Sequence, residues 1–216
     1  MPVHDFLARV RIVPAVRDIS RLPIALASGA PLVIAFSPSL DTLHTVVRQV
    51  KDAGAELIVH ADMMEGIASD AVGLRFLAKC GVAGIATTRT QTLALGRQAG
   101  LLITFRAFLI DSTALTTVAR IVERNHPDIV EALPAPILSH LPGGYISGLG
   151  VPVLAGGLVN TMKDVESALS SGAIAVSTSN ESLWGQYKSN IQTQIKEDTE
   201  NGCHFGDEQR SGVFDR

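Results

Sequence analysis

Eight short apolar runs, about 23 residues apart, constrain the fold of this chain more than any other feature. They fall at residues 11–14, 32–36, 57–60, 83–87, 101–105, 129–132, 151–155 and 173–177, and polar or glycine-containing turns follow them. Strands covered on both faces read as continuous apolar runs, and parallel strands are buried in that way because helices cross over them. Composition agrees. The chain is 46% hydrophobic but only 5% aromatic and 18% charged, which suits Val, Ile, Leu and Ala packed against a parallel sheet.

Helical punctuation separates the runs. Ser39 is placed to cap a helix that ends before Gly54, and Ser69 or Asp70 one that ends before Gly81. A third helix spans 90–99 and stops at Gly100. Ser112 opens a fourth, which His126-Pro127 ends, and Thr161 precedes a fifth that closes at Gly172.

Eight strands are the number that closes an α/β (β/α)8 barrel, although about 250 residues is the usual size. An open doubly wound sheet is the alternative. The count of eight, and the lack of a GxGxxG after the first strand, favour a compact TIM barrel with short loops. Residues 1–185 form the expected barrel domain. Residues 186–216 form a polar tail, expected to extend the last helix over 186–195 and to be disordered beyond.

The tail holds four Lys or Arg against six Asp or Glu, so it carries most of the net charge of −3. The barrel region is close to neutral, which argues against a generic polycation that grips nucleic acid everywhere. Two cysteines, Cys80 and Cys203, make neither a disulfide scaffold nor a CxxC zinc site and suggest a reduced, cytoplasmic setting. No run reaches 18 apolar residues, and the N-terminus lacks the apolar core of a signal peptide, so no membrane association is expected.

Barrel chemistry sits at the C-terminal ends of the strands. After the seventh strand comes Gly156-Gly157, which lets backbone approach a ligand. After the eighth come Ser177-Thr178-Ser179-Asn180, at the start of a helix. These two loops are the usual phosphate site of the fold, so Gly156, Gly157, Ser179 and Asn180 are the candidate phosphate contacts. The plain alternative is a glycine turn and a helix cap.

His60, Asp62 and Glu65 follow the third strand and Glu131 lies on the sixth. They are candidates for hydroxyl binding or acid–base work, and a convergent carboxylate set would suit Mg²⁺. In the structural alternative, His60 and Asp62 bond neighbouring loops and orient Arg17 or Arg89. Arg17, Arg89 and Arg106 fall at strand ends, where a guanidinium suits ligand or RNA phosphate. All five lysines fall on helices or in the tail, so a Schiff-base mechanism lacks its nucleophile. Aromatic stacking partners for RNA are scarce, and Phe105 and Phe108 are expected in the core.

The stretches VPAVRDI (13–19), HADMMEGIASDAVGLRFL (60–77), GIATTRT (84–90), FRAFLIDSTAL (105–115), PDIVEALPAPI (127–137) and VPVLAGGLVNTMKDVESALSSGAIAVSTSNESLW (151–184) carry a resemblance. With them, in this order and spacing, the sequence resembles the bacterial glycerol-3-phosphate responsive antiterminator family. The resemblance implies a (β/α)8 barrel without established catalysis and without a cofactor. It implies sn-glycerol 3-phosphate as effector and the leader mRNA of glycerol operons as partner. The effector agrees with the phosphate reading of the loops, whereas the RNA partner rests on the resemblance. The competing reading is a phosphate-handling barrel enzyme, a lyase, isomerase or metal-dependent phosphodiesterase, using His60, Asp62, Glu65 and Glu131.

Overall fold

The structure, a computed structural model, describes residues 3–186. Eight parallel strands close into one barrel in sequence order: β1 (Ile12–Val16), β2 (Leu32–Ala35), β3 (Glu56–His60), β4 (Gly84–Thr87), β5 (Leu102–Phe108), β6 (Ile129–Leu133), β7 (Val153–Gly156) and β8 (Ala175–Thr178). β8 pairs with β1 through Ile12–Val176 and Val13–Ser177, which leaves no open edge. All eight expected strands are present. The helices are α1 (Val3–Val10), α2 (Leu22–Ala27), α3 (Leu40–Asp52), α4 (Ala71–Cys80), α5 (Thr90–Gln98), α6 (Ser112–Asn125), α7 (Tyr145–Gly148), α8 (Met162–Ser170) and α9 (Glu181–Trp184).

The period of two along each strand sorts the apolar residues into two layers. Val13, Ala15, Leu32, Ile34, Ile58, Ala86, Leu102, Ile129, Leu154 and Ala175 fill the lumen. The alternate positions, among them Ile12, Val33, Val59, Ile85, Ile103, Val130 and Val176, pack outward against the helices. α1 adds Phe6, Leu7 and Val10 to the lumen cluster and so closes the N-terminal mouth. Burying each such side chain contributes about 1.5–3 kcal/mol, which holds a helix that the sequence reading did not foresee.

The caps follow side-chain chemistry. The Asp70 carboxylate accepts from the N–H groups of Val72 and Gly73, so it is the cap rather than Ser69, whose hydroxyl donates to the Ala61 carbonyl. Thr161 and Asp164 form a reciprocal capping box. One expectation is corrected. Ser39 stands at the N-cap, but its hydroxyl bonds Thr42 Oγ1 rather than a helix N–H. α6 opens at Ser112 as expected, and Asp111 caps it, its carboxylate accepting from the Ala114 N–H at 2.7 Å.

β5 is longer than expected and reaches Phe108. Phe105 is buried, but Phe108 is 52% exposed, because it stands where the strand has risen past its cover. Among the described residues no helix is long and apolar enough to cross a membrane. The expected helix extension and disordered tail fall mainly on residues 187–216, outside the described residues.

Candidate functional site

The lumen changes character at its C-terminal end. Two residues beyond an apolar lumen position, Ile34 is followed by Phe36, Ile58 by His60, Ile129 by Glu131 and Ala175 by Ser177. Arg106 lies within β5, one residue pair beyond buried Thr104. His60, Glu131 and Ser177 are all buried, and the Arg106 side chain is only 12% exposed.

These residues form one bonded chain. Arg106 and Glu131 are register partners across β5 and β6, and Arg106 Nε donates to Glu131 Oε2 at 2.5 Å. The Ser177 hydroxyl donates to Glu131 Oε1 at 2.7 Å. Arg106 Nη1 donates to His60 Nε2 at 2.7 Å. Guanidinium nitrogens carry only donors, so His60 Nε2 is the acceptor and Nδ1 carries the proton. That buried Nδ1 has no hydrogen-bond partner. Phe36 packs against both, 5.3 Å from the His60 ring and 5.0 Å from the Arg106 guanidinium. Burial lowers the His60 pKa first and the Arg106 cation lowers it further, which outweighs the opposing pull of Asp62 and Glu131.

Asp62 does different work. It sits in a 3-10 turn, Ala61–Met63, directly after β3. Thr87 Oγ1 donates to one of its oxygens at 2.7 Å, and the Thr88 N–H and hydroxyl donate to the other at 2.8 and 2.9 Å. Burial pushes the carboxyl up, but these bonds and His60 together hold it below the usual range. Arg89 Nε stands 3.8 Å away. The carboxylate thus ties the loop after β3 to the loop after β4, the structural alternative raised from the sequence.

A cavity of about 110 Å³ opens above Glu131. Its walls include Arg17, Phe36, Arg106, Glu131 and Ser177, with Gly157–Asn160 after β7, and Thr178 and Ser179 at the end of β8. Arg17 lies 5.7 Å above the Phe36 ring and has no carboxylate partner among the described residues. Gly157 and Leu158 both have positive φ, +74° and +59°. For an exposed leucine that is a strained conformation of the kind found at ligand sites.

The predicted residues divide. Gly157, Ser179, Arg17, Arg106 and Glu131 line this cavity. Gly156 does not line it. A Cβ there would stand 2.6 Å from both Glu131 Oε1 and Ser177 Oγ, so this glycine makes room for their bond. Asn180 does not line it either, because its carboxamide caps α9 at Ser182 and donates to the Asn160 carbonyl. Glu65 is exposed beside α3, where its carbonyl accepts from the Leu40 N–H. His60 and Asp62 stand behind the wall, and Arg89 beyond Asp62. Among the described residues, no three His, Cys, Asp or Glu side chains converge as metal ligands.

Sequence reasoning did not single out Phe36, and it named Ser177 only as the first residue of the stretch after the eighth strand. Both lie in or beside apolar runs, and counting by twos from Ile34 and Ala175 finds them. A larger cavity, about 680 Å³, lies at the other end of the barrel, against Gly144–Ser147 and Ser170–Gly172, which precede β7 and β8. That face of a (β/α)8 barrel serves stability rather than chemistry.

Comparison with known proteins agrees with this frame. A curated relative, the uncharacterized protein YgcP of Escherichia coli (strain K12), is 29% identical over 185 residues, 85% of this chain and 96% of its own length. The glycerol uptake operon antiterminator regulatory protein of Listeria monocytogenes superposes with a TM-score of 0.74 at 30% identity, over 80% of this chain and 94% of its own. A glycerol uptake operon antiterminator-related protein of Thermotoga maritima gives 0.72 at 25%, over 80% and 96%. The sequence model described as "Glycerol-3-phosphate responsive antiterminator" matches residues 12–184, from the first strand to the helix after the last, and the chain belongs to that family.

Proposed function

We propose that this protein is an RNA-binding antiterminator that senses sn-glycerol 3-phosphate and acts on the leader mRNA of glycerol operons. The observation that carries the ligand half is the small cavity, where the loops after β7 and β8 meet Arg17. In this reading the phosphate rests on backbone at Gly157 and on Ser179, with the Arg17 guanidinium supplying positive charge. Gly156 and Asn180 shape those loops from behind. The glycerol end meets Arg106 and Glu131, which His60 and Ser177 hold in place. At about 110 Å³ the cavity is small, which suits a compact effector.

The RNA half rests on the family, and on exposed Arg17 and Arg89 on the face that carries the ligand. No cofactor enters this reading, and a nascent transcript as partner implies the cytoplasm. Nor does it include turnover. Glu131 is held by Arg106 and Ser177, and Asp62 by two threonines, which suits carboxylates that position neighbours and accept from a ligand.

Calorimetric titration with sn-glycerol 3-phosphate, with glycerol as control, tests the ligand half. A gel shift with a terminator-containing leader, at several salt concentrations, tests the RNA half, because phosphate contacts weaken as salt rises. Saturable binding of the phosphate but not of glycerol is expected. Conversion of the phosphate to product would put the enzyme reading first.

A further inference from the structure

The site reading above leaves open which oxidation state of a three-carbon phosphate the wall accepts, and the inference here rests on that reading. We infer that Arg106 and Glu131 together select the alcohol form of a small phosphomonoester over its ketone and carboxylate counterparts.

Donors and acceptors on the wall decide which oxygen fits. Arg106 Nε and Glu131 Oε2 lie 2.5 Å apart on the wall of the cavity. An ionised carboxylate only accepts and a guanidinium only donates. Each Glu131 oxygen has one protein partner, Arg106 or Ser177, and a carboxylate oxygen has lone pairs for two. Arg106 has committed Nε to Glu131 and a bond from Nη1 to His60, which leaves further N–H groups. A hydroxyl beside this pair accepts from Arg106 and donates to Glu131 at once. A ketone oxygen only accepts, so it satisfies Arg106 and turns lone pairs towards Glu131. A carboxylate brings a second anion against Glu131, which is 1% exposed and whose charge is already matched by Arg106. The remaining cation on the wall, Arg17, faces the phosphate in this reading.

The supports fix that choice. Ser177 holds Glu131 from one side and His60 holds Arg106 from the other, with Phe36 against the guanidinium. The pair therefore does not turn to suit a different oxygen. An apolar pair of equal volume is often as stable as a buried ion pair, so stability alone does not call for charge here. Below this layer Ile34, Ile58, Ile129, Leu154 and Ala175 fill the lumen. The Arg106–Glu131 pair stands where the cavity opens.

The test is titration calorimetry of the full chain with three probes: sn-glycerol 3-phosphate, dihydroxyacetone phosphate and 3-phosphoglycerate. The alcohol is expected to bind at least tenfold more tightly than the ketone, and 3-phosphoglycerate at least a hundredfold more weakly than the alcohol. Ketone affinity within threefold of the alcohol overturns the inference while the effector reading stands. Binding of none of the three overturns both. Glu131→Gln supplies an N–H donor at the same place. It should weaken the alcohol, strengthen the ketone and narrow the gap, in protein whose circular dichroism and melting show it folded. A folded variant with an unchanged ratio counts against the inference, and if the variant does not fold, the wild-type panel decides.

Discussion

Arg106 and Glu131 face each other across neighbouring strands and form an ion pair 2.5 Å long, with side chains 12% and 2% exposed. The desolvation cost of such a pair is met only while both partners are present. Glu131→Ala leaves a buried cation beside His60 and should destabilise the fold by about 3–5 kcal/mol. Replacing both together, Arg106→Met with Glu131→Leu, should recover much of that loss while abolishing effector binding. Urea unfolding of the single and double variants, followed by calorimetry on the folded ones, checks both statements. A double variant no more stable than Glu131→Ala would place the cost in shape rather than charge.

Acid should weaken the fold through His60 before it does so through Asp62. The His60 pKa is depressed by burial and by Arg106, so above its ordinary value of 6.5 the ring is neutral whether folded or not. As pH falls below that value, the unfolded chain takes up a proton that the folded chain refuses, and stability is lost towards the folded pKa. Asp62 is also depressed and acts with the same sign below its ordinary 3.8. Urea midpoints between pH 7.5 and 5 should therefore decline in the wild type. His60→Gln, whose amide oxygen can still accept from Arg106, should flatten that decline. An equal decline in the variant would assign it to another group.

Neighbouring glycines should fail for different reasons. Gly156→Ala puts a methyl 2.6 Å from both Glu131 Oε1 and Ser177 Oγ, and forcing it in should cost about 1–3 kcal/mol. Gly157 has φ +74° and its added Cβ would meet Leu133 Cδ2 at 3.3 Å, so Gly157→Val is strained in backbone as well as placed against the ligand. Both should lower effector affinity at least tenfold, about 1.4 kcal/mol. Only Gly156→Ala should do so by disturbing the Ser177–Glu131 bond. Adding Ser177→Ala should therefore change affinity little in the Gly156→Ala background and strongly in the Gly157→Val background.

Arg17→Ala tests the phosphate end with little structural cost. The side chain is exposed with no carboxylate partner among the described residues, and such substitutions usually fall within about 0.5 kcal/mol of wild-type stability. Affinity for sn-glycerol 3-phosphate and for inorganic phosphate should drop together. Glu65→Ala, outside the cavity, should change neither. If Arg17→Ala spares both anions, the phosphate lies elsewhere.

The barrel is readable because each strand carries a short run of Val, Ile, Leu and Ala that is buried on both faces, and the polar residues at the strand ends blur only the boundaries, as at Arg106 in β5. Thr161 with Asp164 and Asp70 were readable for the same local reason: a short polar side chain is competing for free helix N–H groups. What was not readable is three-dimensional. α1 shows Phe6, Leu7 and Val10 at helical spacing, but only the closed lumen gives that face something to cover. Glu131 and Asp62 look alike in sequence, yet one is paired with an arginine on the next strand and the other is wrapped by threonines, and register decides which. Asn180 reads in sequence either as a ligand group or as a helix cap, and it serves as the cap, a choice that depends on where the Ser182 N–H points.

An effector that changes RNA affinity must do so reciprocally: RNA tightens the effector by the same factor. The structure offers a contiguous route. Arg106, on the cavity wall, bonds His60 at 2.7 Å, and His60 leads directly into the 3-10 turn that carries Asp62. Asp62 clamps Thr87 and Thr88 and stands 3.8 Å from exposed Arg89. A ligand that draws Arg106 towards the cavity alters the partner of His60 and, through Asp62, the hold on Arg89. Arg89→Ala should therefore leave effector affinity without RNA nearly unchanged, and should reduce the coupling measured with leader present. Asp62→Asn should reduce it too, since it weakens the acceptor for all three loop donors. Leader affinity is measured at one fixed low salt, with and without sn-glycerol 3-phosphate. A ratio near one in the wild type would remove the sensor mechanism, and a wild-type ratio kept by both variants would move the route away from Asp62.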